Sequence, residues 1–284
     1  MLQKIQQTTG YIQQCVDFQP EIGIILGTGL GNLVSEIEVY KTLSYSDIPN
    51  FPVSTVEGHK GQLVFGYLSG KKVVAMQGRF HFYEGYTMQQ VTFPVRVLKA
   101  LGIKLLIVSN ASGGMNTSFR VGDIMVITDH INLFGTNPLI GKNIDELGPR
   151  FPEMSEAYDK RYIQKAFEIA EKHNIHLQKG VYIGVTGPTF ETPAEYKFFN
   201  IAGADAVGMS TVPEVIVARH MSLPVFALSV ITDMGIGTTE KPTHEEVQRA
   251  AAKAEPKMTT IIKEIIKYTT YSCGFAARRG GVPF

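Results

Sequence analysis

Charge of one sign is what this sequence lacks first. Its 284 residues carry 27 lysines and arginines against 26 aspartates and glutamates, a formal net charge of +1. A surface so balanced offers no electrostatic footprint for nucleic acid or for an anionic membrane. Cysteine is scarce as well. Cys15 and Cys273 stand near opposite ends, fit neither a disulfide framework nor a zinc spacing, and point to a reducing compartment. No apolar run approaches the roughly 20 residues that cross a bilayer. The N-terminus, MLQKIQQTTGYIQQ, is polar and has no leader-like apolar core. A soluble cytoplasmic protein with no nucleic-acid or membrane partner is expected.

Several common catalytic signatures are missing too. No G-x-S-x-G elbow supports a serine hydrolase, and no G-x-x-x-x-G-K-[ST] loop supports a nucleotide triphosphatase. The turn Gly27-Thr28-Gly29-Leu30-Gly31 fails the dinucleotide fingerprint at Asn32. Of the seven histidines (59, 81, 130, 173, 176, 220 and 244), only His173 and His176 share a helical spacing, and no acidic residue or cysteine joins them. No metal site is expected.

What is present is globular: 44% hydrophobic and 19% charged residues, in a chain long enough to bury a large core. Short Val/Ile/Leu-rich runs read as strands buried on both faces. They are Ile22–Leu26, Gln62–Leu68, Lys72–Gln77, Leu105–Ser109, Ile124–Thr128, Gly180–Val185, Ala206–Met209 and Val225–Ile231. Amphipathic patterns lie between many of them: Thr87–Leu101, which Pro94 should bend or interrupt, and Tyr158–His173. Thr192-Pro193-Ala194-Glu195 and Thr243-His244-Glu245-Glu246 have capping-box spacing at helix starts, the second opening a long helix with a kink at Pro256. The expected architecture is α/β, a mixed, mostly parallel sheet with helices on both faces. One domain over residues 1–271 and a loosely docked or disordered tail over 272–284 are expected, and the loop-like stretch Phe134–Met154 is long enough to be functional.

Chemistry collects where strands end. Gly27–Gly31 follows a strand, so its backbone N–H groups can close around a small anion, although a plain tight turn reads the same way. Beyond another strand, Arg79, His81 and Tyr83 alternate with aromatics, so an extended backbone sets guanidinium, imidazole and phenol on one wall. Arginine suits phosphate oxygens. Asn110-Ala111-Ser112-Gly113-Gly114 ends a third strand, and ligands of open α/β sheets gather beyond such ends. Phe190 can stack on a flat ring and Glu191 can accept from ring N–H groups. Ser210 can donate to an anion at a helix start, and Asp233 closes the last strand with a carboxylate. One anion site served by several strand ends is the simplest common explanation; ordinary turn chemistry is the alternative at each.

Taken together, GTGLG, STVEGHKGQLVFG, MQGRFHFYEGY, SNASGGMN, GPTFETPAE and GADAVGMSTVPEVIVARH resemble the trimeric purine nucleoside phosphorylases. That family includes enzymes for 6-oxopurine nucleosides and methylthioadenosine phosphorylases, and the resemblance spans about Ile22 to Lys267. It implies purine salvage by reversible phosphorolysis of inosine and guanosine to base and ribose 1-phosphate, with phosphate as co-substrate and no cofactor. Mapped by motif, Thr28, His59, Arg79, His81, Ala111 and Ser210 would hold phosphate. Tyr83, Met209 and His244 would hold ribose, and Phe190, Glu191 and Asp233 the base, with Glu191, Asp233 and His81 the catalytic set. A homotrimer is implied. Leu147 falls where the family places an aromatic that caps a neighbouring subunit's sugar.

Asp233 departs from the 6-oxopurine members, which carry Asn there. The methylthioadenosine enzymes carry Asp but lack the counterpart of Glu191. An ionised Asp233 suits a 6-amino group, and a protonated one could serve purine N7. Inosine and guanosine cleavage with raised tolerance for adenosine is the expected activity. A methylthioadenosine phosphorylase and a non-catalytic nucleoside binder of the same fold are the alternatives.

Overall fold

Nine strands and six helices alternate along the chain in the computed structural model, which describes residues 1–27, 31–53, 60–236 and 243–269, except for the His244 side chain. The strands are β1 (Ile22–Leu26), β2 (Glu38–Ser44), β3 (Gln62–Leu68), β4 (Lys71–Gln77), β5 (Leu105–Gly114), β6 (Ile124–Asn132), β7 (Leu177–Gly184), β8 (Ala206–Gly208) and β9 (Val225–Met234). The helices are α1 (Leu2–Cys15), α2 (Met88–Ala100), α3 (Lys160–Lys172), α4 (Pro193–Ile201), α5 (Val212–His220) and α6 (His244–Tyr268). The expected tail, residues 272–284, and Cys273 lie outside the described residues.

The sheet order is β2-β3-β4-β1-β5-β8-β7-β6-β9, and β5 also pairs with β9. That last pairing closes the ring β5-β8-β7-β6-β9. The ring depends on the length of β5. Its first half pairs with β1 from Ile22↔Leu105 to Ile25↔Val108, and its end reaches β8 at Gly113↔Val207. Parallel pairing joins β1 to β4 and β5, β5 to β9, and β7 to β6 and β8. The sheet is therefore mixed and mostly parallel, as expected.

Period-two alternation distributes the strand side chains between two cores. Ile25, Val74, Met76, Leu106 and Val108 pack with residues of α1, α2 and α5. Ile22, Ile24, Leu26, Ala75, Leu105 and Ile107 pack with residues of α3 and α6. Helices thus cover both faces. Of bending or interruption at Pro94, interruption does not occur: α2 runs through it, and α6 is the expected long helix running through Pro256. In α2, Val91, Phe93, Val95, Val97 and Leu98 are all buried around the proline. Burial of five apolar side chains at roughly 1.5–3 kcal/mol each outweighs the roughly 3 kcal/mol that an internal proline costs.

Two elements carry no strong sequence pattern. The buried face of α1 is Ile5, Thr8, Thr9 and Ile12, with two threonines among its four positions. Strand β2 is an edge strand exposed everywhere but Leu43.

Candidate functional site

Gly27 ends β1 with its Cα pressed against β5: a Cβ there would lie 2.7 Å from the Ser109 carbonyl oxygen. Glycine lets the ends of β1 and β5 close on each other. Beside them, β4 runs out into Gly78 and Arg79. An aromatic cluster fixes this exit. The Tyr45 hydroxyl donates to the Gly78 carbonyl at 2.7 Å, and Phe80 packs against Tyr45, Phe51 and Tyr86. Phe80 therefore faces the core, while Arg79 and His81 face a cavity of about 250 Å³. Tyr83 joins them there from a short 3₁₀ turn, Phe82–Glu84, in place of the extended backbone expected. Its ring stacks on His81 with centroids 4.8 Å apart.

The cavity brings together most of the residues singled out in the sequence. Arg79, His81, Tyr83, Ala111, Phe190, Glu191, Met209, Ser210 and Asp233 all line it. Thr28 and His59 lie outside the described residues, as does the His244 side chain. Leu147 does not line this cavity; it faces a separate one between α1 and α2 with Arg96 and Lys99.

At one end, Arg79 is 1% exposed and its partner Glu214, three residues into α5, is 3% exposed. Arg79 Nε donates to Glu214 Oε1 at 3.2 Å, Nη2 to Glu214 Oε2 at 2.5 Å, and Nη1 to the Ser109 carbonyl at 2.8 Å. This forked geometry is what two charges need to coexist without water. Glu214 carries no functional signal in the sequence, because its capping position at the start of α5 already explains a glutamate there. His81 is oriented by Glu84, whose Oε1 accepts from the His81 backbone at 2.7 Å and lies 3.2 Å from Nδ1. Burial and the Glu84 carboxylate push the Tyr83 phenol up to about 12, so it stays a donor.

The other end holds two half-buried carboxyls. Asp233 sits opposite Gly113 after a register shift between Ser112 and Gly113. A Cβ at Gly113 would come within 3.1 Å of Asp233 Oδ2 and 3.3 Å of the Tyr196 hydroxyl, so the glycine makes room for both. Thr232 Oγ1 lies 3.0 Å from Asp233 Oδ1, while the buried Oδ2 has no hydrogen-bond partner among the described residues. Burial raises the Asp233 carboxyl, partly opposed by the Thr232 hydrogen bond. Burial also raises Glu191, and the Asp233 charge adds to it, while a hydrogen bond from Tyr196 works the other way. Exposed Phe190 forms an apolar wall beside them.

The arrangement is a cleft with hydroxyl, imidazole and guanidinium groups at one end and carboxyls with an aromatic ring at the other. It suits an anion and a flat heterocycle held side by side. Among the described residues, no group of three His, Cys, Asp or Glu side chains could hold a metal ion. No helix among them is long and apolar enough to cross a membrane.

The sequence profile of the Phosphorylase superfamily matches residues 21–267. Purine nucleoside phosphorylase 1 of Bacillus subtilis (strain 168) is 55% identical over 267 residues, covering 94% of this chain and 98% of that protein. Purine nucleoside phosphorylase of Rattus norvegicus is 48% identical over 270 residues, covering 92% and 93%. The crystal structure of Schistosoma mansoni purine nucleoside phosphorylase in complex with adenosine superposes with a TM-score of 0.91. Its sequence is 43% identical, and the match covers 95% of this chain and 98% of that one.

Proposed function

The chain belongs to the phosphorylase superfamily and catalyses purine nucleoside phosphorolysis, and from that premise we propose how its site divides the work. Inorganic phosphate is held by Arg79, His81, Ala111 and Ser210, joined by Thr28 and His59. Tyr83, Met209 and His244 hold the ribose. Phe190 stacks on the base while Glu191 and Asp233 face its polar edge. The observation that carries this reading is the single cavity into which Arg79, His81 and Ser210 project with Phe190, Glu191 and Asp233. A pure nucleoside binder has no need of the first three.

The reaction follows from that layout. A phosphate oxygen forms a bond to C1′ as the bond from C1′ to the purine nitrogen breaks, and the configuration inverts. The ribosyl fragment passes through cationic character, which the phosphate beneath it stabilises. Holding both reactants in one cleft removes most of the entropic cost of their meeting. The electron pair leaves with the purine, and a neutral Asp233 gives its proton to N7 as the negative charge develops. Burial, which raises the Asp233 carboxyl, favours that form. Glu191, as carboxylate, accepts from the ring N–H of a 6-oxopurine. Phosphate is a co-substrate, and no cofactor takes part.

Inosine and guanosine are the main substrates. The second oxygen of the Asp233 carboxyl accepts from a 6-amino group, so adenosine is cleaved as well; the adenosine held by the Schistosoma mansoni relative is consistent with this. The enzyme works in the cytoplasm as a homotrimer, with the Leu147 loop of one copy reaching the sugar of the next.

The test is a product assay with inosine, guanosine, adenosine and 5′-methylthioadenosine, each with and without inorganic phosphate. Equimolar purine and ribose 1-phosphate from inosine and guanosine, only with phosphate, is expected. Preference for 5′-methylthioadenosine would replace this reading, and nucleoside binding without turnover would remove it.

A further inference from the structure

A hydroxyl has one hydrogen and gives it to one acceptor. This arithmetic fixes the direction of a buried chain of hydrogen bonds beneath the cavity. Ser229 Oγ donates to Asn110 Oδ1 at 2.5 Å. That hydrogen is then committed, so the 2.6 Å contact between Ser112 Oγ and Ser229 Oγ is a donation from Ser112. At its other end the Asn110 amide donates from Nδ2 to Thr211 Oγ1 at 2.7 Å. Thr211 Oγ1 lies 3.2 Å from Ser210 Oγ, so with one lone pair taken by the amide its own hydrogen is available to Ser210. With Thr211 donating to it, Ser210 keeps its own hydrogen for another acceptor, and Ser210 lines the cavity beside the buried Tyr182 hydroxyl.

We propose that Asn110 is a positioning residue that sets the polarity of this chain and thereby presents Ser210 to inorganic phosphate as a hydroxyl donor. The proposal rests on the reading of Ser210 as a phosphate ligand. Each hydroxyl in the chain can relay in either direction. The amide cannot, because one of its ends only accepts and the other only donates. Asn110, Thr211 and Ser229 are all buried, so solvent does not reset the order. Thr211 is held in place for the task. Its φ of 69° is unusual for a β-branched residue, and its backbone N–H is fixed on Glu214 Oε2 at 3.1 Å. The carboxylate that grips Arg79 therefore also anchors the link that aims Ser210, and both act on the same anion. A donor already oriented toward phosphate loses no hydrogen-bonding energy to reorientation when phosphate arrives.

Asn110→Asp keeps the shape but makes both ends acceptors, so Thr211 turns its hydrogen back and Ser210 loses its incoming bond. Thr211→Val keeps the branched side chain and deletes the relay without adding charge. Steady-state kinetics on both variants, and on Ser210→Ala, separate the KM for phosphate from the KM for inosine. Each variant is expected to raise the phosphate KM about tenfold or more, the value of one hydrogen bond to a charged group. The inosine KM should stay within about twofold. The Thr211→Val/Ser210→Ala double variant should lose little beyond Ser210→Ala alone, as members of one chain do. Should neither of these variants fold, Thr211→Ala deletes the same hydroxyl in a smaller side chain and carries the test through the same split between the two KM values. An unchanged phosphate KM in the relay variants beside a raised one in Ser210→Ala overturns the relay and leaves the phosphate site standing. An unchanged phosphate KM in Ser210→Ala overturns both.

Discussion

At one end of the cavity a buried guanidinium meets a buried carboxylate, Arg79 with Glu214; at the other are Glu191 and Asp233, with no cation among the described residues contributing to either group. The first end is complete without a ligand. Its charges are paired and its forked hydrogen bonds are made. The second is incomplete, with a buried Asp233 oxygen that no described protein group satisfies. The two ends therefore differ in what they need: the first pairs its own charges within the fold, and in the proposed function a base edge satisfies the second.

The sharpest way to break this comparison is to remove half of the paired end. Arg79→Met leaves Glu214 buried without its cation, held only by the Thr211 N–H, at a cost of about 3–5 kcal/mol. Urea unfolding should show that loss, together with loss of activity. A variant as stable as the wild type would mean that the pair is not structural.

At the incomplete end the order reverses. Glu191→Gln is expected to lower kcat/KM for inosine by about 10- to 100-fold, the range for a hydrogen bond to a charged group. It should leave the melting temperature unchanged or higher. A fall in stability of the size seen for Arg79→Met would erase the distinction.

Asp233→Asn tests both stability and specificity. Burial raises the folded carboxyl above its ordinary value of 3.8. The stability linked to its proton is therefore fully present below that value and lost as pH rises through the folded pKa. Asparagine does not titrate, so the variant should gain stability over the wild type as pH rises and match it toward pH 4. The ratio of kcat/KM for adenosine to that for inosine should fall, because the acceptor for a 6-amino group becomes a donor as well. An unchanged ratio would separate Asp233 from base selection. The alkaline fall in wild-type inosine activity, where Asp233 loses its proton, should disappear in the variant.

The smallest effect is expected for Tyr196→Phe. Its hydroxyl holds the Glu191 carboxyl down against burial. Removing it should move the acid limb of the pH profile to higher pH, with a severalfold loss below the limb and little above it. A limb that stays put would show that Tyr196 does not govern Glu191.

The strands were legible because burial on both faces leaves near-continuous Val, Ile and Leu, as in β1 and the first half of β5. What escaped is physically explicable. Two threonines on the buried face of α1 blur its period, and an exposed edge strand such as β2 has no need of one. Ring closure by β5 and β9 depends on β5 continuing through Asn110–Gly114, a stretch whose small residues read as a turn. Most site positions were legible from their motifs at strand ends. Glu214 was not, since its contact with Arg79 spans 135 residues and leaves no local trace. Asn110 stood inside a recognised motif, yet its role needed the positions of Thr211 and Ser229, each more than 100 residues away.

The most direct measurement is a crystal structure of the enzyme with phosphate and hypoxanthine bound together. The account places the anion against Arg79, His81 and Ser210, and the base between Phe190 and the carboxyls of Glu191 and Asp233. Phosphate bound elsewhere, or a base lying at the Arg79 end, would contradict it.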